Sequence, residues 1–215
     1  MANLCPDRPG CLHSTDHFRL FVALPAPEPV KKAIQELQHQ LRRALPDKAA
    51  RWTRPEQFHL TLRFLGSVAC ARVTELIGTL RKACEPFAPL QLEAGGLGYF
   101  PDARFPRVLW AAVRDRSKQL ESVWRVVQSA TQPFTAEATE SRFVGHITLA
   151  RLNRLGRSEA EALARSVHQL QSNSLGEWRA TELQLMRSEL SPQGARHTPL
   201  ASVLIPGKSP IELPS

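Results

Sequence analysis

His59-Leu60-Thr61-Leu62 and His146-Ile147-Thr148-Leu149 are one pattern written twice: His, aliphatic, Thr, Leu. An aromatic precedes each copy, Gln57-Phe58 before the first and Arg142-Phe143-Val144 before the second. In an extended strand successive side chains point to opposite faces, so His and Thr share one face and the two aliphatics share the other. Each copy therefore predicts a half-buried strand that shows an imidazole and a hydroxyl to one side. Two such strands brought together set two His and two Thr around one small space.

Working outward from the first copy, Phe18 to Leu24 reads as a buried strand stopped by Pro25. Pro27 and Pro29 suit a helix entry, and Val30, Ile34, Leu37, Leu41 and Leu45 recur at helical spacing until Pro46-Asp47. Arg51-Trp52-Thr53-Arg54-Pro55 leads into the motif strand over 58–65, which Gly66 closes. A helix over 71–84 follows, with Val73, Leu76, Ile77 and Leu80 on one side. Next come a strand over 90–94, a bend through Gly95-Gly96-Leu97-Gly98, and a strand over 107–113. Around the second copy the spacing predicts a helix over 117–132, the motif strand over 143–151 and a helix over 158–170 with an acidic first turn. Strands over 180–187 and 198–205 close the chain.

This order is a near-repeat of architecture, and it predicts an α+β fold of duplicated units forming two lobes, one motif in each, with the site in the cleft between them. Residues 1–16 read as a disordered leader, 17–206 as one bilobal domain and 207–215 as a tail.

The 215 residues are 42% hydrophobic and 22% charged, enough to bury a core, and the formal net charge of +8 favours an anionic partner. Cys5, Cys11, Cys70 and Cys84 form no Cys-x-x-Cys pair, so a zinc site is not expected, and free thiols in the cytoplasm are the simpler reading. Cys5, Cys11, His13 and His17 lack the spacing of a known structural metal site. No apolar run approaches the roughly 18 residues of a membrane span, and the N-terminus lacks the apolar centre of a signal peptide. A Gly-x-Ser-x-Gly elbow, a His-Glu-x-x-His helix and a Gly-rich phosphate loop are all missing.

The quartet suits hydrolysis of a cyclic phosphate diester. Water attacks phosphorus from one side while an oxygen leaves on the other. One neutral imidazole takes the water's proton and a second, protonated one gives a proton to the leaving oxygen, each transfer contributing about 10²–10⁴-fold. Thr61 and Thr148 would donate hydrogen bonds to the non-bridging oxygens. No metal or other cofactor is needed for these steps.

At these residues the chain resembles the two-histidine (2H) phosphoesterases, specifically the RNA 2′,3′-cyclic phosphodiesterase branch, also called LigT-like or 2′-5′ RNA ligase-like. The likeness covers about residues 17–206. It is carried by Phe21-Val22-Ala23-Leu24-Pro25, Arg51-Trp52, the first motif with Phe64-Leu65-Gly66, Pro106-Arg107-Val108-Leu109-Trp110, the second motif with Ala150-Arg151, and Ser188 to Gly194. It implies a bilobal α+β fold with pseudo-twofold symmetry, each lobe an antiparallel-rich sheet with helices. It also implies hydrolysis of a terminal ribose 2′,3′-cyclic phosphate to a 2′-phosphate. His59 would then be the proton donor to the leaving 3′ oxygen and His146 the acceptor from water, with RNA ends or related nucleotides as partners, no membrane, and a monomer.

Two positions depart from the family pattern. Gly145 stands where Pro usually precedes the second His, which would loosen the placement of His146. Arg196-His197 stands where an aromatic often follows the Pro-Gln-Gly turn. Arg151 matches the family's Arg after the second motif and would pair with phosphate, although simple alternation puts it on the face opposite His146. Arg63 shares the predicted face of His59 and Thr61, which would make it either a cleft residue or a solvated edge. Phe58, Phe143 and Phe100 would stack on a base or serve the core. His13, His17, His39, His168 and His197 read as surface or tail groups. The alternatives to hydrolysis of RNA ends are 2′-5′ ligation, a cyclic phosphodiesterase of small nucleotides such as ADP-ribose cyclic phosphate, and a non-catalytic RNA-end binding module.

Overall fold

Strand β1 (His17–Pro25) starts the fold in a computed structural model that describes residues 16–191 and 194–207. It is followed by α1 (Glu28–Arg42), β2 (Ala50–Trp52), β3 (His59–Ala69), α2 (Val73–Cys84), β4 (Leu90–Phe100) and β5 (Val108–Asp115). Then come α3 (Leu120–Thr131), β6 (His146–Leu152), α4 (Arg157–Leu170), β7 (Ser174–Ala180), β8 (Glu182–Ser191) and β9 (Gly194–Leu204). The expected leader up to residue 15, with Cys5, Cys11 and His13, the tail beyond Gly207, and Pro192-Gln193 lie outside the described residues.

The strands form one antiparallel sheet in the order β7-β4-β5-β6-β3-β1-β8-β9, with β2 attached to β6. The two motif strands are its centre, and they meet through a single pair, Leu60 with Ile147. Outward from that pair the order is β3-β1-β8-β9 on one side and β6-β5-β4-β7 on the other. This is the expected pseudo-twofold arrangement. The helices cover one face of the sheet and the other carries the cleft.

The lobes are not the two halves of the sequence, however. Helix α1, which leaves β1, packs on β7 and α4 in the β6 lobe, while α3, which leaves β5, packs on β3 and α2 in the β3 lobe. Strand β4 likewise crosses to the β6 lobe, and β8 and β9 cross to the β3 lobe. One continuous apolar core runs through both, with Leu20, Val22 and Leu24 of β1 and Ile147, Leu149 and Ala150 of β6 fully buried in it. Because β1 has its cleft-side residues covered too, Phe21 and Ala23 join Met186 in a small second cluster on that face.

Two glycine stretches act differently from their sequence reading. Gly66 does not end the first motif strand. It sits at φ +61° inside β3, at a register shift against β1 that only a residue at ease with positive φ accommodates. The expected Gly-rich bend is instead continuous strand β4, with its irregularity between Ala94 and Leu97. The short β2 and the strand β7 around Trp178 are additional to the elements predicted. Among the described residues, no helix is long and apolar enough to cross a membrane.

Candidate active site

Both motif strands carry the same fault. Against β1, Thr61 pairs with Ala23 and Arg63 with Val22, so Leu62 is the extra residue of a bulge. Against β5, Thr148 pairs with Trp110 and Ala150 with Leu109, so Leu149 is the extra one. Burial follows suit. From His59 to Leu65 and from His146 to Leu152 it runs half-buried, buried, half-buried, buried, buried, exposed, buried.

A bulge moves every later side chain to the other face, and this corrects two expectations. Arg63 is not a cleft residue: it turns into the protein, 2% exposed, and donates to the Gln128 carbonyl, to Gln128 Oε1 and to Gln132 Oε1, each at 2.6 Å. Arg151, placed by plain alternation on the far face, is returned to the face of His146 and Thr148 and lines the cleft.

Two buried glutamines hold the bulges. Gln38 of α1 donates to the Leu149 carbonyl at 2.8 Å and the Thr53 carbonyl at 2.9 Å. Gln128 of α3 donates to the Leu62 carbonyl at 3.1 Å. A buried carbonyl left without a partner costs about 1–3 kcal/mol; Gln128 supplies the donor for the Leu62 carbonyl, and Gln38 adds a second donor to the Leu149 carbonyl, which also accepts from Thr53 N at 2.9 Å. Each donor comes from the exchanged helix, which ties the motif strand of one lobe to the helix of the other half of the chain.

Antiparallel pairing about Leu60 and Ile147 sets His59 across from Thr148 and Thr61 across from His146. The two imidazoles are thus diagonal neighbours, a relation that spans roughly 7–8 Å in a regular ladder. All four residues line one cleft of about 690 Å³, together with Arg51, Arg54, Arg151, Phe64, Glu137 and His197. Neither Thr61 nor Thr148 uses its hydroxyl on another described residue, so both are available to a ligand.

Each imidazole is fixed in the same way. His146 Nδ1 donates to the Val144 carbonyl at 2.7 Å. That oxygen can only accept, so Nδ1 carries the hydrogen and Nε2 of the neutral ring is left with its lone pair. His59 is hydrogen-bonded to the backbone of Gln57, again two residues earlier. Ring contacts complete the seats: Phe100 lies edge-on to His146 at 4.9 Å with Trp110 at 6.0 Å, and Phe21 lies 5.0 Å from His59. Burial lowers the pKa of both histidines. For His59 desolvation and the neighbouring His197 bring it to about 4. His146 is lowered by desolvation, opposed by the Val144 carbonyl and the charge of Glu140.

His197 was expected at the surface, and the structure places it in the site. Strand β9 brings its ring edge-on to His59 at 5.6 Å and to Phe21 at 4.9 Å, with Nδ1 buried and unpartnered. The only trace of it in the sequence is its place after the Pro-Gln-Gly turn, where the family often has an aromatic; its neighbour is set by sheet pairing. The other described histidines, His17, His39 and His168, are exposed as expected. Among the proposed base platforms Phe58 is core, Phe143 stacks on Trp124 away from the cleft, and Phe100 supports His146. The exposed aromatic of the cleft is Phe64.

Gly145 does not loosen His146. Its carbonyl accepts from Val113 N at 2.8 Å, and a Cβ built on it would lie 2.6 Å from the Val113 carbonyl oxygen. Glycine is there because β5 comes too close for a side chain. Cys70 and Cys84 both remain thiols, and no group of three His, Cys, Asp or Glu able to hold a metal ion occurs among the described residues.

A bilobal sheet with a His-x-Thr pair on each central strand defines a phosphoesterase of the two-histidine kind. The sequence model of the LigT-like phosphoesterase family matches residues 24–110. The chain is 28% identical over 182 residues to the RNA 2′,3′-cyclic phosphodiesterase of Methanothermobacter thermautotrophicus, covering 84% of this chain and 95% of that protein. It is 30% identical over 135 residues to the protein of the same name from Thermotoga maritima, covering 63% and 70%. Among solved structures, TT0787 of Thermus thermophilus superposes with a TM-score of 0.73 at 27% identity, over 89% of this chain and all of that one. Escherichia coli LigT complexed with NADP+ gives 0.66 at 24% identity, over 88% and 99%, a likeness of fold. The chain belongs to the LigT-like phosphoesterase family.

Proposed function

We propose that this protein hydrolyses the 2′,3′-cyclic phosphate at an RNA end to a 2′-phosphate, using His59 and His146 as the proton-transfer pair. The observation that carries the reading is the diagonal quartet across the Leu60–Ile147 pair, two seated imidazoles and two uncommitted hydroxyls facing one cleft. The names of the relatives support the same substrate class. His146, neutral with Nε2 open, is suited to take the proton of the attacking water as its oxygen bonds to phosphorus. His59 gives a proton to the 3′ oxygen as the bond from phosphorus to that oxygen breaks. Thr61 and Thr148 donate to the non-bridging oxygens, and Arg151 adds a cation at the edge of the site. Both histidines are held neutral in the free protein, so the anionic phosphate itself must draw in the proton that His59 delivers.

The reading extends to one bilobal domain over 17–206, a monomer acting in the cytoplasm, where the thiols of Cys70 and Cys84 are at home. Product analysis with a cyclic-phosphate-ended oligonucleotide in EDTA tests the chemistry. Wild type should give a 2′-phosphate, and His59→Ala and His146→Ala should each lose at least about 10²-fold while remaining folded. A near-normal rate in either variant refutes the two-imidazole mechanism, and binding without turnover by wild type would leave only an RNA-end binder.

A further inference from the structure

The His-x-Thr quartet is nearly symmetric about the Leu60–Ile147 pair, but the walls behind it are not. On the β6 side the rings packed on His146 are Phe100 and Trp110. Neither lines the cleft, and the Trp110 indole lies against Gly98 instead. On the β3 side Ala23 stands across from Thr61 where Trp110 stands across from Thr148. Here the β8–β9 hairpin reaches the cleft and lines it with Ser188, Leu190, Ala195 and His197. Strands β4 and β7 hold the matching places in the other half, and among the described residues they contribute nothing to the cleft wall. A second imidazole therefore stands on the wall of His59 and on that wall alone.

The hairpin is tied to the seat of His59. Gln57, whose backbone bonds the His59 ring, donates from its side chain to the Ala195 carbonyl, two residues before His197. The His197 ring then meets His59 edge-on at 5.6 Å and Phe21 at 4.9 Å. Its Nδ1 is buried without a partner. A buried N–H with no acceptor is the rarer orphan, so the hydrogen of the neutral ring belongs on Nε2, which is open to the cleft. Burial lowers the pKa of His197, so the ring stays neutral beside His59 and does not compete for its proton. An N–H···O bond spans about 2.9 Å, so two rings with centres 5.6 Å apart can both donate to one oxygen set between their edges.

We propose that His197 is a third catalytic residue, a hydrogen-bond donor from Nε2 to the leaving 3′ oxygen, and that this one-sided donor turns the 3′ oxygen toward His59. The proposal rests on the cyclic phosphodiesterase reading and deepens it, because the quartet alone does not tell the two ribose oxygens apart. As the bond from phosphorus breaks, its electron pair stays on the 3′ oxygen. His59 gives that oxygen its proton, while His197 donates a hydrogen bond and keeps its own hydrogen.

The test compares a nucleoside 2′,3′-cyclic phosphate with the analogue carrying sulfur in place of the 3′ oxygen. A thiolate, with a conjugate acid of pKa about 8.5, leaves without a proton or a donor. His197→Phe keeps a ring against Phe21, and its fold is checked by circular dichroism. It should lower kcat on the oxygen substrate by about tenfold, the scale of one hydrogen bond, and leave the sulfur substrate within about twofold of wild type. His197→Gln, which retains an N–H, should recover most of the loss. His146→Ala, acting on the water, should be impaired on both substrates. A wild-type rate for His197→Phe on the oxygen substrate, or the same loss on both, overturns the proposal. Calorimetric binding of nucleoside 2′-phosphates with and without the 3′-hydroxyl reads the contact without turnover: wild type should lose about fivefold in affinity when the hydroxyl is removed, and His197→Phe should be indifferent to it. If wild type turns over neither cyclic substrate yet shows that dependence, the catalytic reading fails and the contact of His197 with the 3′ oxygen stands; indifference of wild type to the hydroxyl overturns the contact.

Discussion

Gly145→Ala is the substitution whose effect the structure sets most directly. The added Cβ would lie 2.6 Å from the Val113 carbonyl oxygen, and ordinary contact begins at 3.4 Å, so something must move by 3.4 − 2.6 = 0.8 Å. That oxygen belongs to backbone, and the same two residues are locked by the 2.8 Å bond from Val113 N to the Gly145 carbonyl. The strain therefore passes to the next residue, His146. Overpacking of this kind costs about 1–3 kcal/mol, which lowers Tm by roughly 2–12 °C for a domain of this size. A displacement near 1 Å at a proton-transfer group reduces kcat by about 10²-fold. Rate at saturating cyclic-phosphate substrate and thermal unfolding by circular dichroism measure the two effects. Gly78→Ala is the control, because nothing lies within 4 Å of its added Cβ in α2; it should keep kcat and gain up to about 1 kcal/mol. A Gly145→Ala protein with kcat within twofold of wild type and unchanged Tm would show that the approach of β5 does not seat His146.

The remaining predictions concern pH. Since both imidazoles are below their ordinary pKa of about 6.5 in the free protein, the singly protonated pair is populated on the acid side. kcat/KM should peak below pH 6.5 and fall as pH rises, while kcat, which reports the complex with an anionic phosphate, should peak at higher pH; coincident optima would refute the burial argument. Stability should respond too. A folded-state pKa depressed below the unfolded one means that the contribution is complete above pH 6.5 and is lost as pH falls toward 4. For His59, from 6.5 to about 4, the loss is about 3 kcal/mol. Urea titrations at pH 7 and pH 4 should show a smaller drop for His59→Leu than for wild type, and equal drops would count against it.

The first four residues of each motif were legible because a period of two holds through Thr61 and Thr148. It fails at Leu62 and Leu149, which look like any strand aliphatic, so Arg63 and Arg151 were assigned to the wrong faces. The cause lies elsewhere in the chain. Gln38 follows Val30, Ile34 and Leu37 on α1 at the spacing by which Gln128 follows Leu120, Trp124 and Val127 on α3. A polar residue on the apolar face of both helices was the visible trace of the bulges. His197 left no such trace, because β9 reaches His59 only through β8 and β1. The near-repeat announced two lobes but not which elements fill each, since periodicity describes an element's face and not its partner.

Exchange of helices between the lobes has a further consequence. Severing the loop between β5 and α3 would give two pieces with one histidine motif apiece, and neither piece would keep the helix that props up its own motif strand. The protein could therefore have arisen by doubling a simpler unit, yet it can no longer be divided into working halves. The two motif strands share only the Leu60–Ile147 ladder pair at the cleft, and behind it the two sides are woven together like the fingers of two clasped hands.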